Sequence, residues 1–143
     1  MNDKLPVYVL DSFALLAYLS GEEGAERVGE ILSDASHDRC YIVMSLINLG
    51  EVLYITERER GLAKTQEALA LIEQLPIDIL PVNHSDVLSA AHIKAHFPVA
   101  YADAFAIVVA QSQDGVLVTG DPEFKVVGKD ARIEWVGKLI GSE

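Results

Sequence analysis

The sequence predicts an α/β domain of three layers, with helices on both faces of a mostly parallel sheet of four to five strands. Two observations predict it. Short apolar runs, "VYVL", "CYIVM", "IDIL" and "VLV", alternate along the chain with longer stretches of helical character. Asp78 in "IDIL" apart, these runs carry no polar residue and so no apolar–polar alternation, which marks strands buried on both faces, as in parallel sheets. The chain has 143 residues, half of them hydrophobic. That suffices for one domain with a substantial core, and no repeat, low-complexity tract or linker divides it, so residues 1–143 are read as one domain.

The elements follow in order. "VYVL" (7–10) is too short for a helix and ends at a polar residue, so it is a buried strand. "SFALLAYLS" is a helix with Ser12 as a candidate N-cap and Gly21 as its stop. Residues 23–35 form a second, more polar helix bounded by the turn-like "SHDR", and "CYIVM" (40–44) is the second strand. Ser45 can cap a helix through "LINLGEVLYITERER", with Gly61 after it. Another helix covers 62–75, stopped by Pro76, and "IDIL" (77–80) is a third strand ended by Pro81. Ser85 or Asn83 starts a helix to about His96, and "ADAFAIVVAQSQ" is an apolar helix ending near Gly115. "VLV" (116–118) and "IEWV" (133–136) are the last strands.

Composition narrows the function. No apolar run reaches the roughly 18 residues of a spanning helix. The start, "MNDKLPVYVLD", lacks a basic region followed by a long apolar stretch, so a cytoplasmic protein is expected, with no membrane partner. Cys40 is the single cysteine, which excludes an internal disulfide and a cysteine-rich zinc site. The net charge is −11. That opposes tight, charge-driven binding to nucleic acid and fits a protein that binds cations or a basic partner.

Four acids stand out by context. Asp11 follows "VYVL", Glu51 lies in "MSLINLGEVLYI", Asp103 in "AYADAFAIVVA", and Asp121 follows "VLVTG". In parallel sheets ligands sit at the carboxyl ends of strands, where Asp11 and Asp121 are placed. Glu51 and Asp103 lie on apolar helices, where a buried carboxylate requires a partner or a metal. Each has an ordinary alternative: helix N-cap for Asp11, solvent for Glu51, a first helical turn for Asp103, a turn residue for Asp121. Together they form an oxygen-only set without His or Cys, which suits Mg²⁺ or Mn²⁺ and, through it, phosphate-ester chemistry.

The pattern resembles the PIN-domain family of metal-dependent ribonucleases, in particular the VapC-type toxins of type II toxin–antitoxin pairs. The resemblance runs from "VYVLDSFALLAYL" to "IEWV" and rests on strand-Asp-Ser, the acid in "INLGEVLY", "ADA" opening an apolar helix, and "VLVTGDPEF". It implies a three-layer PIN-like fold and an endoribonuclease centre. Asp11, Asp103 and Asp121 would be the main ligands of Mg²⁺ or Mn²⁺. Glu51 would bind metal directly or through water and orient the nucleophilic water. Ser12 and Thr119 would hold ligands in place, and Glu123 would add a peripheral carboxylate or be a solvated turn residue. The resemblance also implies RNA as substrate, an antitoxin that can place an arginine in the acidic pocket, and a homodimer. RNA contacts would then rest on Arg58, Arg60 and Lys64 in "RERGLAK", with Lys125 and Lys129; a solvated helix end of mixed charge is the other reading of "ERER".

Other chemistries fit less well. "HIKAH" (92–96) has zinc-ligand spacing but neither the protease glutamate nor a third ligand, so both histidines are expected on the surface. A haloacid-dehalogenase-like phosphatase needs a second Asp where Phe13 stands, and no phosphate-loop motif occurs. The alternative of a different class is a catalytically silent PIN-like module that binds RNA or protein.

Overall fold

The computed structural model describes residues 4–137. The strands are β1 (Val7–Leu10), β2 (Tyr41–Ser45), β3 (Asp78–Leu80), β4 (Val116–Thr119) and β5 (Arg132–Trp135). The helices are α1 (Ser12–Ser20), α2 (Ala25–Ser36), α3 (Leu46–Arg60), α4 (Leu62–Glu73), α5 (His84–His96) and α6 (Tyr101–Ser112). Between β4 and β5 runs a 3-10 segment, Pro122–Asp130. All four strand pairings are parallel, in the order β3-β2-β1-β4-β5.

Alternation along each strand divides the core. Val9, Val43 and Leu117 pack on one face against α5, α6 and the 3-10 residues Phe124 and Val127. Leu10, Ile42 and Val118 face the other way, onto α1 and α2, and Met44 joins Leu15, Val52 and Ile72 from α1, α3 and α4. The three layers read from the apolar runs are therefore present. Helix α6 is buried at every position from Asp103 to Ala110, which explains why its sequence shows no polar face.

Several boundaries differ from the sequence reading. The N-cap of α1 is Asp11, whose side chain accepts from Ala14 N, and Ser12 lies inside the helix. Helix α2 starts at Ala25 rather than at residue 23, because Gly24 adopts the left-handed φ of 98° and the right-handed helix cannot extend back through it. Strand β3 starts one residue late because Ile77 N donates to Leu75 O in a turn after α4. Strand β5 spans 132–135 rather than 133–136. The 3-10 segment has no counterpart in the sequence reading, since "PEFKVVGKD" carries turn residues and no helical period; its chain kinks at Gly128. Ser45 caps α3 as expected, and of the two candidates for α5 it is Asn83 that caps, in a reciprocal capping box with Asp86.

The order of strands positions the site. The chain steps from β1 outward through β2 to β3, then returns across the sheet to β4 on the other side of β1. The gap between the carboxyl ends of β1 and β4 is the switch point at which open α/β sheets bind ligands.

Candidate metal centre

Asp11 leaves the end of β1 and Asp121 follows the end of β4, and Leu10 pairs in register with Val118. The two carboxylates are thus delivered to neighbouring strand ends. Asp11 is 1 % exposed; its Oδ1 accepts from Ala14 N at 2.8 Å and its Oδ2 accepts from the Thr119 hydroxyl. The same Thr119 oxygen accepts from Asp121 N at 3.0 Å, so one buried hydroxyl links both strand-end acids. Asp121 in turn caps the 3-10 segment, accepting from Glu123 N at 2.9 Å.

Asp103 enters from the first turn of α6, 7 % exposed. Single carboxylate oxygens of Asp103, Asp121 and Glu123 lie within 4.8 Å of one another. Glu123 is anchored by Ala100 N, which donates to its Oε1 at 3.2 Å. Glu51 is partly buried on α3 and completes the wall. Asp11, Glu51, Asp103, Asp121 and Glu123 together line a cavity of about 240 Å³ with Ser12, Phe13, Leu16, Ile55 and Ala100.

Crowding of acids out of water governs the electrostatics. Burial pushes the Asp11 carboxyl up to about 7; the hydrogen bonds from Thr119 and Ala14 oppose this, and the charges of Asp121 and Glu51 add to it. Asp103 is raised to about 8, first by burial, then by a hydrogen bond with Glu123 that favours the protonated form, then by the charges of Asp121 and Asp11. A divalent cation relieves both effects by supplying the missing positive charge. The donor set is carboxylate oxygen throughout, and its spacing lets three oxygens reach one ion. The residues therefore fit a hard cation of the Mg²⁺ or Mn²⁺ class.

The expected residues divide into those brought together and those that are not. The four acids share the cavity. Glu123, though exposed, contributes an oxygen to the group with Asp103 and Asp121, whereas Asp11, with both oxygens hydrogen-bonded, is not part of it. Thr119 holds Asp11 and Asp121 in place. Ser12 does not hold a carboxylate: its hydroxyl donates to Asn48 O at 3.2 Å and accepts from Asn48 Nδ2 at 3.3 Å. Asn48 is the residue that sequence reasoning passed over. It is wholly buried, and Nδ2 also donates to Ala102 O at 3.1 Å, joining α3 to α1 and to the turn that carries Asp103. Its position one turn before Glu51 on an apolar helix was the available signal.

Among the bases, Arg60 and Lys64 line a neighbouring cleft of about 200 Å³ with Leu16 and Thr56; Leu16 also borders the carboxylate cavity. Lys64 pairs with Glu67 at 3.6 Å. Arg58 lies over the Tyr54 ring, 5.1 Å from its centroid. Lys125 lines a different cavity, beside Phe124 and Trp135. Lys129 is exposed in the last turn of the 3-10 segment and is not among the residues lining the carboxylate cavity. His92 and His96 are exposed, as expected, with ring centroids 4.4 Å apart and His96 Nδ1 bonded to His92 O. They line a cavity that contains none of the five acids. Among the described residues no single helix is long and apolar enough to cross a membrane.

Known structures share this architecture. VapBC2 from Rickettsia felis, bound to a promoter DNA fragment, superposes with a TM-score of 0.71 at 16% identity, covering 91% of this chain and 98% of that one. The sarcin–ricin-loop-cleaving toxin VapC20 of Mycobacterium tuberculosis gives 0.66 at 17% identity, covering 87% and 98%. DNA-bound VapBC from Salmonella typhimurium gives 0.67 at 21% identity, covering 91% and 98%. No curated protein matches the sequence significantly. A family model described as the PIN domain matches residues 8–130, from the first strand through the 3-10 segment, and the chain belongs to the PIN domain family.

Proposed function

We propose that this chain is a divalent-metal-dependent endoribonuclease and the toxin of a type II toxin–antitoxin pair. The observation that carries the reading is the convergence of Asp103, Asp121 and Glu123 oxygens within 4.8 Å, in one cavity with Asp11 and Glu51. Similarity in fold to a toxin described as cleaving the sarcin–ricin loop supports RNA as the substrate, and similarity to VapBC complexes supports an antitoxin partner. A homodimer follows from the family resemblance.

In this reading Asp103, Asp121 and Glu123 hold a Mg²⁺ or Mn²⁺ ion, and Asp11 stands beside them as a buried ligand or as the anchor that fixes the Thr119–Asp121 turn. A bound ion of this class supplies Lewis acidity to the phosphoryl group and acidifies a bound water. The remaining work belongs to the chain. Glu51, on the α3 wall, orients the attacking water and accepts its proton. Water oxygen forms the new bond to phosphorus while a P–O ester bond breaks, the released ribose oxygen takes a proton from solvent, and the 2′-hydroxyl takes no part. The excess of negative charge leaves substrate contacts to local groups, with Arg60 and Lys64 across Leu16 the bases best placed to meet the RNA backbone.

The discriminating experiment uses protein freed of any partner by refolding, a mixed RNA panel, and Mg²⁺, Mn²⁺ or EDTA, beside Asp121→Asn. Metal-dependent cleavage that is lost in the variant, with products free of 2′,3′-cyclic phosphate, is expected. A silent binding module would bind RNA or protein with or without the substitution and cut nothing.

A further inference from the structure

A site that must receive a polyanion among carboxylates raises the question of what else holds the substrate there. None of the ten residues lining the carboxylate cavity is Lys or Arg. The ion can engage the reacting phosphate, but a flanking nucleotide needs a contact that does not depend on charge. One cavity residue offers it. Phe13 is the aromatic residue among the ten, and it is 39 % exposed, although Ala14 and Leu15 beside it are fully buried.

Its placement is fixed on both sides. Phe13 lies in the first turn of α1, two residues after Asp11, whose carboxylate is locked by Ala14 N and Thr119. Against its ring stands Gly120, between Thr119 and Asp121. A Cβ at Gly120 would overlap the Phe13 ring and sit 2.5 Å from Val136 O. The ring is therefore seated on the turn that carries Asp121, at a position that only glycine permits. A large apolar side chain left open to solvent, held at the mouth of a charged cavity, is a poor contributor to the core and a good platform.

We propose that Phe13 is a stacking platform for an unpaired RNA base next to the phosphate being cut. This rests on the ribonuclease reading above. Stacking is tolerant of sequence because every base has a π-face, and it contributes about five- to 150-fold in affinity per base. It also requires a base free of a duplex, which makes loops and single strands the substrate class. An uncharged contact of this kind explains how a chain of net charge −11 can hold RNA at an acidic cavity.

The test compares the full chain, freed of partner, with Phe13→Tyr, Phe13→Leu and Phe13→Ala. Binding of labelled single-stranded oligo(A) and oligo(U), roughly a dozen nucleotides long to span one single-strand site, is measured by anisotropy with Ca²⁺ present, alongside the melting shift produced by Mn²⁺. The platform predicts binding within about two-fold of the wild type for Phe13→Tyr, which keeps the ring, and a loss of about five-fold or more for Phe13→Leu and about ten-fold or more for Phe13→Ala. The Mn²⁺ shift should stay that of the wild type in all three, which separates lost stacking from a collapsed site. Equal RNA binding by wild type and Phe13→Leu would overturn the platform alone. Failure of every protein, wild type included, to bind either RNA would also overturn the platform, whereas the ribonuclease reading stands or falls with metal-dependent cleavage of the mixed RNA panel.

Discussion

The Thr119 hydroxyl donates to Asp11 Oδ2 across two neighbouring parallel strands, and the same oxygen accepts from Asp121 N. Two acids from opposite ends of the sequence are thereby held in one geometry by a third side chain that is 0 % exposed. Replacing Thr119 with Val keeps its shape but leaves a buried carboxylate oxygen and the Asp121 N–H without this partner. Loss of one such partner costs about 1–3 kcal/mol. Urea denaturation should show Thr119→Val destabilised by that amount and Thr119→Ser close to wild type. Metal affinity should fall about ten- to hundred-fold in Thr119→Val, as expected when a group orienting a ligand is removed.

Metal-free protein should lose stability as pH rises from about 4 to about 8. Asp11 at about 7 and Asp103 at about 8 lie above the ordinary aspartate value, so the folded state binds more protons than the unfolded chain across that window. Each proton lost on raising the pH then disfavours the fold. Thermal melts in EDTA across that same window should show a falling Tm, and saturating Mn²⁺ should flatten the trend. A Tm that rises with pH in EDTA would contradict the burial of these acids.

Asp103→Asn separates stability from metal binding. It removes a charge that burial and the neighbouring Glu123, Asp121 and Asp11 disfavour, so the metal-free variant should melt at or above the wild type at a pH of about 8. The wild type should gain stability with Mn²⁺, by about 2.7 kcal/mol at a concentration roughly 100 times the Kd. The variant should show little of this gain. Calorimetric titration with Mn²⁺ checks the same point.

Asn48→Ala removes the donor to Ala102 O and to the Ser12 hydroxyl at a site with no exposure. A destabilisation of about 1–3 kcal/mol is expected from the unpaired groups. Because Ala102 precedes Asp103, Mn²⁺ affinity should fall as well, although Asn48 does not line the carboxylate cavity. Unchanged affinity in a folded variant would show that α6 keeps its start without this brace.

Much of this arrangement is legible in the sequence. The runs of β1, β2 and β4 identify strands because they are apolar and too short for helices, whereas the edge strands β3 and β5, which expose Asp78 and Arg132, are less plainly marked. Asp11 and Asp121 are placed at strand ends because the runs before them end abruptly. The cluster itself is harder to read, since contacts such as Thr119 with Asp11 join distant parts of the chain and leave no local mark. Glu123 has the look of a turn residue because its partners, Asp103 and Ala100 N, arrive from another helix and the residue before it. Asn48 and Phe13 gain their meaning from Ala102 and Gly120, which no local periodicity connects to them. Ser12 misleads for a simple reason: serine is a frequent N-cap, but the adjacent Asp11 reaches Ala14 N first.

The most direct test of the metal centre is an anomalous diffraction map from crystals soaked in millimolar Mn²⁺. A peak is expected within coordination distance of the Asp103, Asp121 and Glu123 carboxylates, and none in the Asp103→Asn variant. A cavity without a peak, or Mn²⁺ held by a different set of residues, would contradict that assignment.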